Sequence, residues 1–284
     1  MSNYRMSLNP ATISQCDFEK SLEVAKAAGF RGIGLRHNLL MNYLDKGNSL
    51  SKARKLMEEV GLVATEAGFL NGWMFHGGIP LSGKRERTGE SEEQLLKEMA
   101  EFFSAVKELG SPPITALVAT KENGSIKQAA VELGWLCDRA ADLGLRIMVE
   151  LIGIAPQINC VRRARQLMEM ADRDNCGLLL DSFLMYMGDF DIEEIARIPA
   201  ERIYTVHISD APGNKEKARL DMLKDRLFPG DGVIPLKELC SAVKATGYAG
   251  WFTVEIFNPD YLGMEPTVIG ERSINSLKKL MERI

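Results

Sequence analysis

Four segments of the chain end, or nearly end, on a side chain that can hold a metal ion or move a proton. RIMVE ends on Glu150, CGLLLD on Asp181, IYTVHISD carries His207 near its end, and WFTVE ends on Glu255. Two glutamates, an aspartate and an imidazole are hard oxygen and nitrogen donors. Such a mixed set suits one divalent cation, of the kind Mn, Mg, Co or Zn. Open coordination positions on that ion could take two adjacent oxygens of a sugar-like substrate. The cation would then polarise a carbonyl and acidify the neighbouring C–H, and a carboxylate oxygen would accept the proton. A single acid at a strand end is commonly a helix cap or a solvated rim residue. Four donors of matching kind on four consecutive strands are not explained that way.

The elements that must position these residues are legible from the same segments. Gly177 to Leu180 is a short apolar run without alternation, which reads as a strand buried on both faces, as in a parallel sheet. A repeated cadence of amphipathic helix, glycine stop and apolar strand runs through the chain. EEVG at Gly61 leads into LVATEA, KELG at Gly110 into ITALVA, ADLG at Gly144 into LRIMVE and KATG at Gly247 into WFTVE. A helix is expected from about Asp17 to Ala28, closed by Gly29, and Asp172–Asn175 makes the same turn without a glycine. Strands are expected near residues 4–8, 32–35, 63–67, 114–118, 146–150, 177–181, 203–208 and 251–255. Eight parallel strands joined by crossover helices predict an α/β fold, a (β/α)8 TIM barrel, whose chemistry sits at the C-terminal ends of the strands. No G-x-G-x-x-G follows any of these strands, which weighs against an open dinucleotide-binding sheet. At 284 residues, one barrel of about 250 residues accounts for the length, so 1–284 is expected to be a single domain.

Composition narrows the partners. With 35 Lys and Arg against 39 Asp and Glu, the net charge of −4 and the lack of a basic block argue against nucleic acid and anionic lipid. No apolar run approaches the ~20 residues of a membrane span, and MSNYRMSLNP lacks a signal-peptide core, so a cytoplasmic location is expected. The five cysteines (16, 137, 160, 176 and 240) are scattered, without C-x-x-C, and read as reduced core thiols. Two long loops, Gly68–Glu90 and Asp210–Gly232, follow strands and so should border the site. The first holds His76 and the solvated run KRER; the second holds Lys224, Asp225, Arg226 and the turn PGDG. His37, beyond the end of the second strand, reads equally as a surface loop residue. A homo-oligomer is compatible with the sequence.

At these residues the chain resembles the xylose-isomerase-like sugar isomerases and epimerases, and within them the inosose (2-keto-myo-inositol) isomerases most. The likeness runs through SLNPATI, the Glu150 strand with Gly153 after it, RDNCGLLLDSF, DRLFPGDG and VEIFNPDY. It implies one divalent metal held by Glu150, Asp181, His207 and Glu255, with Glu150 and Glu255 as candidates for moving the proton. It also implies that Arg226 contacts substrate oxygens rather than holding the fold. Two departures stand out. Where the family usually shows D-x-x-H after strand six, the fourth position here is Leu184, and Tyr186 or His76 is left to replace the imidazole. Ile154, Ala155 and Pro156 stand where relatives carry a polar residue, which implies a drier pocket. The resemblance thus implies a metal-dependent isomerase or epimerase of a keto-sugar or keto-inositol, acting through proton abstraction and an ene-diolate. The alternatives are a lyase of the inosose or dehydroshikimate dehydratase type, and a sugar-binding protein without turnover. A small-molecule sugar or polyol is the expected partner in each case. With three histidines and a negative charge, a DNA-repair endonuclease on this barrel is rejected.

Overall fold

The apolar runs that end on the four donors become the buried wall of a closed barrel. A computed structural model describes residues 4–70, 73, 92–118 and 124–284. Its strands are β1 (Arg5–Leu8), β2 (Gly32–Arg36), β3 (Val63–Leu70), β4 (Ile114–Leu117), β5 (Ile147–Glu150), β6 (Cys176–Asp181), β7 (Ile203–Ile208) and β8 (Trp251–Val254). They pair in parallel in sequence order, and β1 closes on β8 through the register Arg5↔Trp251 to Leu8↔Val254. Every residue of β5, β6 and β7 is buried, because helices cover the outer face while side chains fill the inside. The expected (β/α)8 TIM barrel is the fold.

The helix–turn–strand cadence folds as its residues dictate. The helix Phe18–Ala28 starts at Asp17, whose carboxylate accepts from the Lys20 amide at 3.0 Å, and stops at Gly29, which takes φ 91°. Before β6, where no glycine is available, Asp172 itself adopts the left-handed conformation at φ 51°. The five cysteines are free and buried. Among the described residues no helix is long and apolar enough to cross a membrane.

The barrel has three register shifts, one of them between β3 and β4 past Ala67, and the other two each leave a single extra residue. Between β2 and β3 the register passes from Ile33↔Ala64 to Gly34↔Glu66, leaving Thr65 as an extra residue. Between β6 and β7 it passes from Leu178↔Ile203 to Leu179↔Thr205, leaving Tyr204 extra. Such bulges break the two-residue alternation and re-aim side chains. Thr65 Oγ1 then meets Ser7 Oγ at 2.7 Å, and Glu66 Oε1 accepts from Asn9 Nδ2 at 2.7 Å, both contacts passing over β2. Glycines on β2 leave that path open: a Cβ at Gly32 would lie 2.3 Å from Thr65 Cγ2, and one at Gly34 3.0 Å from Glu66 Oε1.

On the mouth side, the loop after β7 is gathered by one carboxylate. Asp210 Oδ1 accepts from the amides of Ala211 (2.9 Å) and Ile234 (2.8 Å), and Oδ2 from that of Gly230 (3.0 Å). Its backbone also pairs with Leu227 in both directions. Of the other long loop only Trp73 is described beyond β3; its indole Nε1 donates to the Leu117 carbonyl at 3.1 Å.

Candidate functional site

Consecutive parallel strands deliver their last residues to one side of the barrel mouth, and β5 to β8 do this with four donors. One ligand atom from each of Glu150, Asp181, His207 and Glu255 lies within 4.8 Å of the others. The four are 5%, 0%, 2% and 5% exposed. His207 Nδ1 is the hub, 3.3 Å from Glu255 Oε2, 3.6 Å from Asp181 Oδ2 and 3.9 Å from Glu150 Oε1. Despite these approaches Nδ1 has no hydrogen bond of acceptable geometry, although it is fully buried. A buried imidazole nitrogen left unpaired is costly unless something else engages it. Three carboxylates and one free nitrogen converging on a point fit a divalent cation, so this group could hold one metal ion.

Asp181 combines the two readings that the sequence set against each other. Its Oδ1 caps the helix Ser182–Met187 by accepting from the amides of Phe183 (2.8 Å) and Leu184 (2.9 Å), while Oδ2 turns to the cluster. Arg226 supplies the countercharge. Its NH1 donates to Asp181 Oδ2 at 2.6 Å and lies 3.2 Å from Glu255 Oε2. The guanidinium sits 5.2 Å from the ring centres of both Phe183 and Phe257, and its Nε donates to the Met222 carbonyl at 3.1 Å. Burial would raise the Asp181 carboxyl, but the charge of Arg226 outweighs it and holds the group well below the usual carboxylate range. Burial likewise opposes ionisation of Glu255, and the charges of His207 and Arg226 overcome it. At Glu150 burial wins, helped by repulsion from Glu255, and the carboxyl is raised well above its ordinary value. Burial would lower the His207 imidazole, yet Glu66 and Glu255 hold it well above the usual histidine range.

The other expected site residues fare differently. Arg226 joins the cluster, but at 2% exposure it is an internal ion-pair partner of two of the acids, with its carbonyl fixed by Asn258 Nδ2 at 3.0 Å. A guanidinium so placed contributes to the fold as well as to the site, contrary to the expectation of a purely substrate-facing role. Tyr186 is half-buried and engages Phe190 edge-on at 6.1 Å and the Lys217 ammonium at 4.1 Å. His37 opens the helix His37–Asp45 and packs edge-on against Phe102 at 4.8 Å. His76 lies outside the described residues. Leu184 is buried in the main apolar core. Ile154 is 61% exposed, so it does not dry the interior of the site as expected.

Two residues reach the cluster that sequence reasoning did not single out as site residues. Glu66, 2% exposed on β3, accepts from His207 Nε2 through Oε2 at 2.7 Å, across the barrel. Arg36, at the end of β2, brings NH1 to 3.8 Å from Glu255 Oε1 and lies over the Phe257 ring at 5.4 Å. The position of Arg36 at a strand end was a usable signal. Glu66 stood near the end of the expected strand 63–67, but β3 continues to Leu70 and a bulge, not a strand end, turns Glu66 inward.

Comparison with known proteins identifies the family of the barrel. Over 271 residues the chain is 31% identical to a 3-dehydroshikimate dehydratase of Pseudomonas aeruginosa, covering 93% of this chain and only 40% of that longer relative. Over 202 residues it is 30% identical to an inosose isomerase of Bacillus subtilis, covering 69% of each. Among solved structures, that of the IolI protein with a bound zinc atom superposes with a TM-score of 0.84 over 98% of both chains, at 23% identity, a likeness of fold. The family model described as xylose isomerase-like TIM barrel matches residues 22–280, and the chain belongs to that family.

Proposed function

We propose that this chain is a divalent-metal-dependent isomerase or epimerase of a keto-sugar or keto-inositol. The observation that carries the reading is the unpaired, buried Nδ1 of His207, ringed by three carboxylates at the ends of β5, β6 and β8. Glu150, Asp181, Nδ1 of His207 and Glu255 would hold the ion, which supplies Lewis-acid polarisation of a substrate carbonyl. The inosose isomerase relative supports the substrate class.

The chain's own residues divide the remaining work. One carboxylate takes the proton from the carbon next to the carbonyl; the C–H electron pair becomes the new C=C bond as the C=O π pair moves onto the carbonyl oxygen, leaving an ene-diolate. With the proton that burial holds on Glu150 displaced by cation binding, that residue is the better placed base, because Glu255 is engaged by Arg226 at 3.2 Å and faces Arg36 at 3.8 Å. Return of the proton to the neighbouring carbon isomerises. Delivery to the opposite face of the same carbon epimerises, and Glu255, on a different strand, is the second group that outcome requires.

The test is exchange of the α-proton with deuterated water, followed by NMR across a panel of keto-sugars and keto-inositols. Exchange is expected in wild type with added metal, and a loss of 100-fold or more in Glu150→Gln. No exchange by wild type on any member would favour a binding protein. A second reading, dehydration, is favoured by the Pseudomonas aeruginosa relative. It starts from the same proton abstraction and ends with loss of hydroxide from the next carbon. An unsaturated product absorbing in the ultraviolet, with loss of water, would replace the isomerase reading by that one.

A further inference from the structure

The proposed reading leaves unexplained how one of two chemically similar ring nitrogens of His207 comes to face the acids. The answer lies on the opposite side of the barrel, in a chain of hydrogen bonds whose polarity can be read from end to end. The Ala11 backbone amide can only donate, and it donates to Asn9 Oδ1 at 2.9 Å. That bond fixes the orientation of the Asn9 amide, so Nδ2 is the atom facing Glu66, and it donates to Oε1 at 2.7 Å. Glu66 Oε2 then accepts at 2.7 Å from His207 Nε2, which carries a proton for that purpose. Nδ1 is left directed at Glu150, Asp181 and Glu255.

From this geometry we infer that Glu66 is a positioning residue, oriented by Asn9, that keeps the imidazole proton on Nε2 and so presents Nδ1 to the metal. The inference rests on the reading that the four donors hold a divalent ion. Three features of the fold serve the arrangement. The extra residue Thr65 turns Glu66 inward, Gly34 leaves room for its carboxylate, and the cap that Asn9 makes on Pro10–Ile13 ties the relay to the backbone. The site takes a carboxylate and no other side chain of that size, since two donors face it. A glutamine would satisfy one and set its own NH2 against the other. If the amide oxygen went to Asn9, its NH2 would meet Nε2 and favour the tautomer with the proton on Nδ1, the nitrogen needed for the ion.

The experiment measures metal binding rather than turnover. Dissociation constants for Zn and Mn are determined by competition with a chromophoric chelator for wild type, Glu66→Gln and Asn9→Asp, with folding checked by circular dichroism. Asn9→Asp keeps an acceptor for Ala11 and replaces the donor facing Glu66 by a carboxylate. Glu66→Gln should weaken binding about 10–100-fold, the usual effect of losing a ligand's hydrogen-bond partner, and Asn9→Asp by less. In parallel, wild type loaded with cadmium-113 is studied by 15N NMR, where three histidines make assignment direct with His37→Gln and His76→Gln. Cadmium coupling on Nδ1 of His207, with a proton retained on Nε2, is expected. Binding by folded Glu66→Gln within twofold of wild type would overturn the inference. So would coupling on Nε2, a result that stands even where the Glu66 variant fails to fold. A wild type that binds neither ion would instead overturn the metal-site reading.

Discussion

The two halves of the barrel contribute to the site in different ways. Strands β5 to β8 carry the four donors at or just past their C-terminal ends, where neighbouring strands bring them within 4.8 Å without help. Strands β1 to β3 work from across the interior: Arg36 at the end of β2 and Glu66 inside β3 reach the donors, and Asn9 just past β1 holds Glu66. Adjacency alone assembles the first set. The second requires a bulge, glycines without side chains and a backbone-anchored amide. Damage to the donor half should therefore abolish binding, and damage to the facing half should weaken it.

The largest effect is expected at Asp181, which is donor, helix cap and partner of Arg226 at once. Asp181→Ala should lose bound metal entirely by elemental analysis. It should also lower stability by about 3 kcal/mol, because a buried guanidinium loses the closer of its two carboxylate partners. Full metal occupancy in this variant would erase the contrast between the halves. Arg226→Met comes next. Without the guanidinium, two buried acids face each other uncompensated, so in chelator the variant should melt well below wild type, by roughly 3 kcal/mol. Added metal should recover much of that loss by supplying the missing positive charge. An unchanged melting temperature in chelator would return Arg226 to the purely substrate-binding role that the sequence implied.

The pH dependence of the metal-free protein sharpens the same picture. His207 and Glu150 bind protons more tightly folded than unfolded, so their contribution is complete below their ordinary pKa values and is lost as pH rises through the raised ones. Asp181 and Glu255 are held low, so theirs is present above the ordinary carboxylate range and is lost as pH falls through the depressed values. Metal-free protein should thus be most stable in mildly acidic solution. Toward alkaline pH it should lose up to ~1.4 kcal/mol per pH unit for each titrating group. Metal, which takes the place of the proton on His207, should flatten that decline and bind more tightly as pH rises. Calorimetry from pH 5 to 9, with and without metal, measures both slopes; identical slopes would contradict the assignment.

The smallest effect is expected at Leu184. If its side chain borders the substrate, a hydroxyl set against it lacks a partner at a cost of about 1–3 kcal/mol, so wild type should prefer a substrate with hydrogen, methyl or a deoxy carbon there. Leu184→His should then shift relative exchange rates toward the more hydroxylated members of the panel. Unchanged ratios would leave Leu184 as a core residue and nothing more.

What the sequence makes legible follows from locality. Three of the donors end an apolar run and His207 lies one residue inside one, so Glu150, Asp181, His207 and Glu255 announce both their strand and their place at the mouth. The eight strands are equally local, and their expected bounds differ from the observed ones by a residue or so, except at β3. That strand was expected to stop at residue 67 and continues to Leu70, which puts Glu66 inside it rather than near its end. The bulge at Thr65 has no sequence signature, since LVATEA alternates as well without it. Arg226 sits in DRLFPGDG, a charged turn by composition, and only the folded loop reveals its burial between Phe183 and Phe257. The contacts of the Tyr186 ring with Lys217 and Phe190 are likewise visible only in the fold.

The clasp at Asp210 carries a consequence for how such a barrel can change. One carboxylate gathers the amides of Ala211, Gly230 and Ile234, so both ends of a long excursion are tied at its base. Gly232 is locked into the knot, for a Cβ there would lie 2.1 Å from the Ala211 carbonyl oxygen. The stretch from Gly213 to Asp225 hangs from this clasp like an interchangeable cartridge, free to vary while the barrel beneath keeps its register. The conditions are a side chain that still fills the core at Leu220 and a Met222 carbonyl that still accepts from Arg226 Nε. Arg226 and Leu227 lie just beyond it, on the side that stays. New substrate preferences could therefore arise by exchange of that cartridge, in evolution or by grafting, with the proton-moving machinery inherited unaltered.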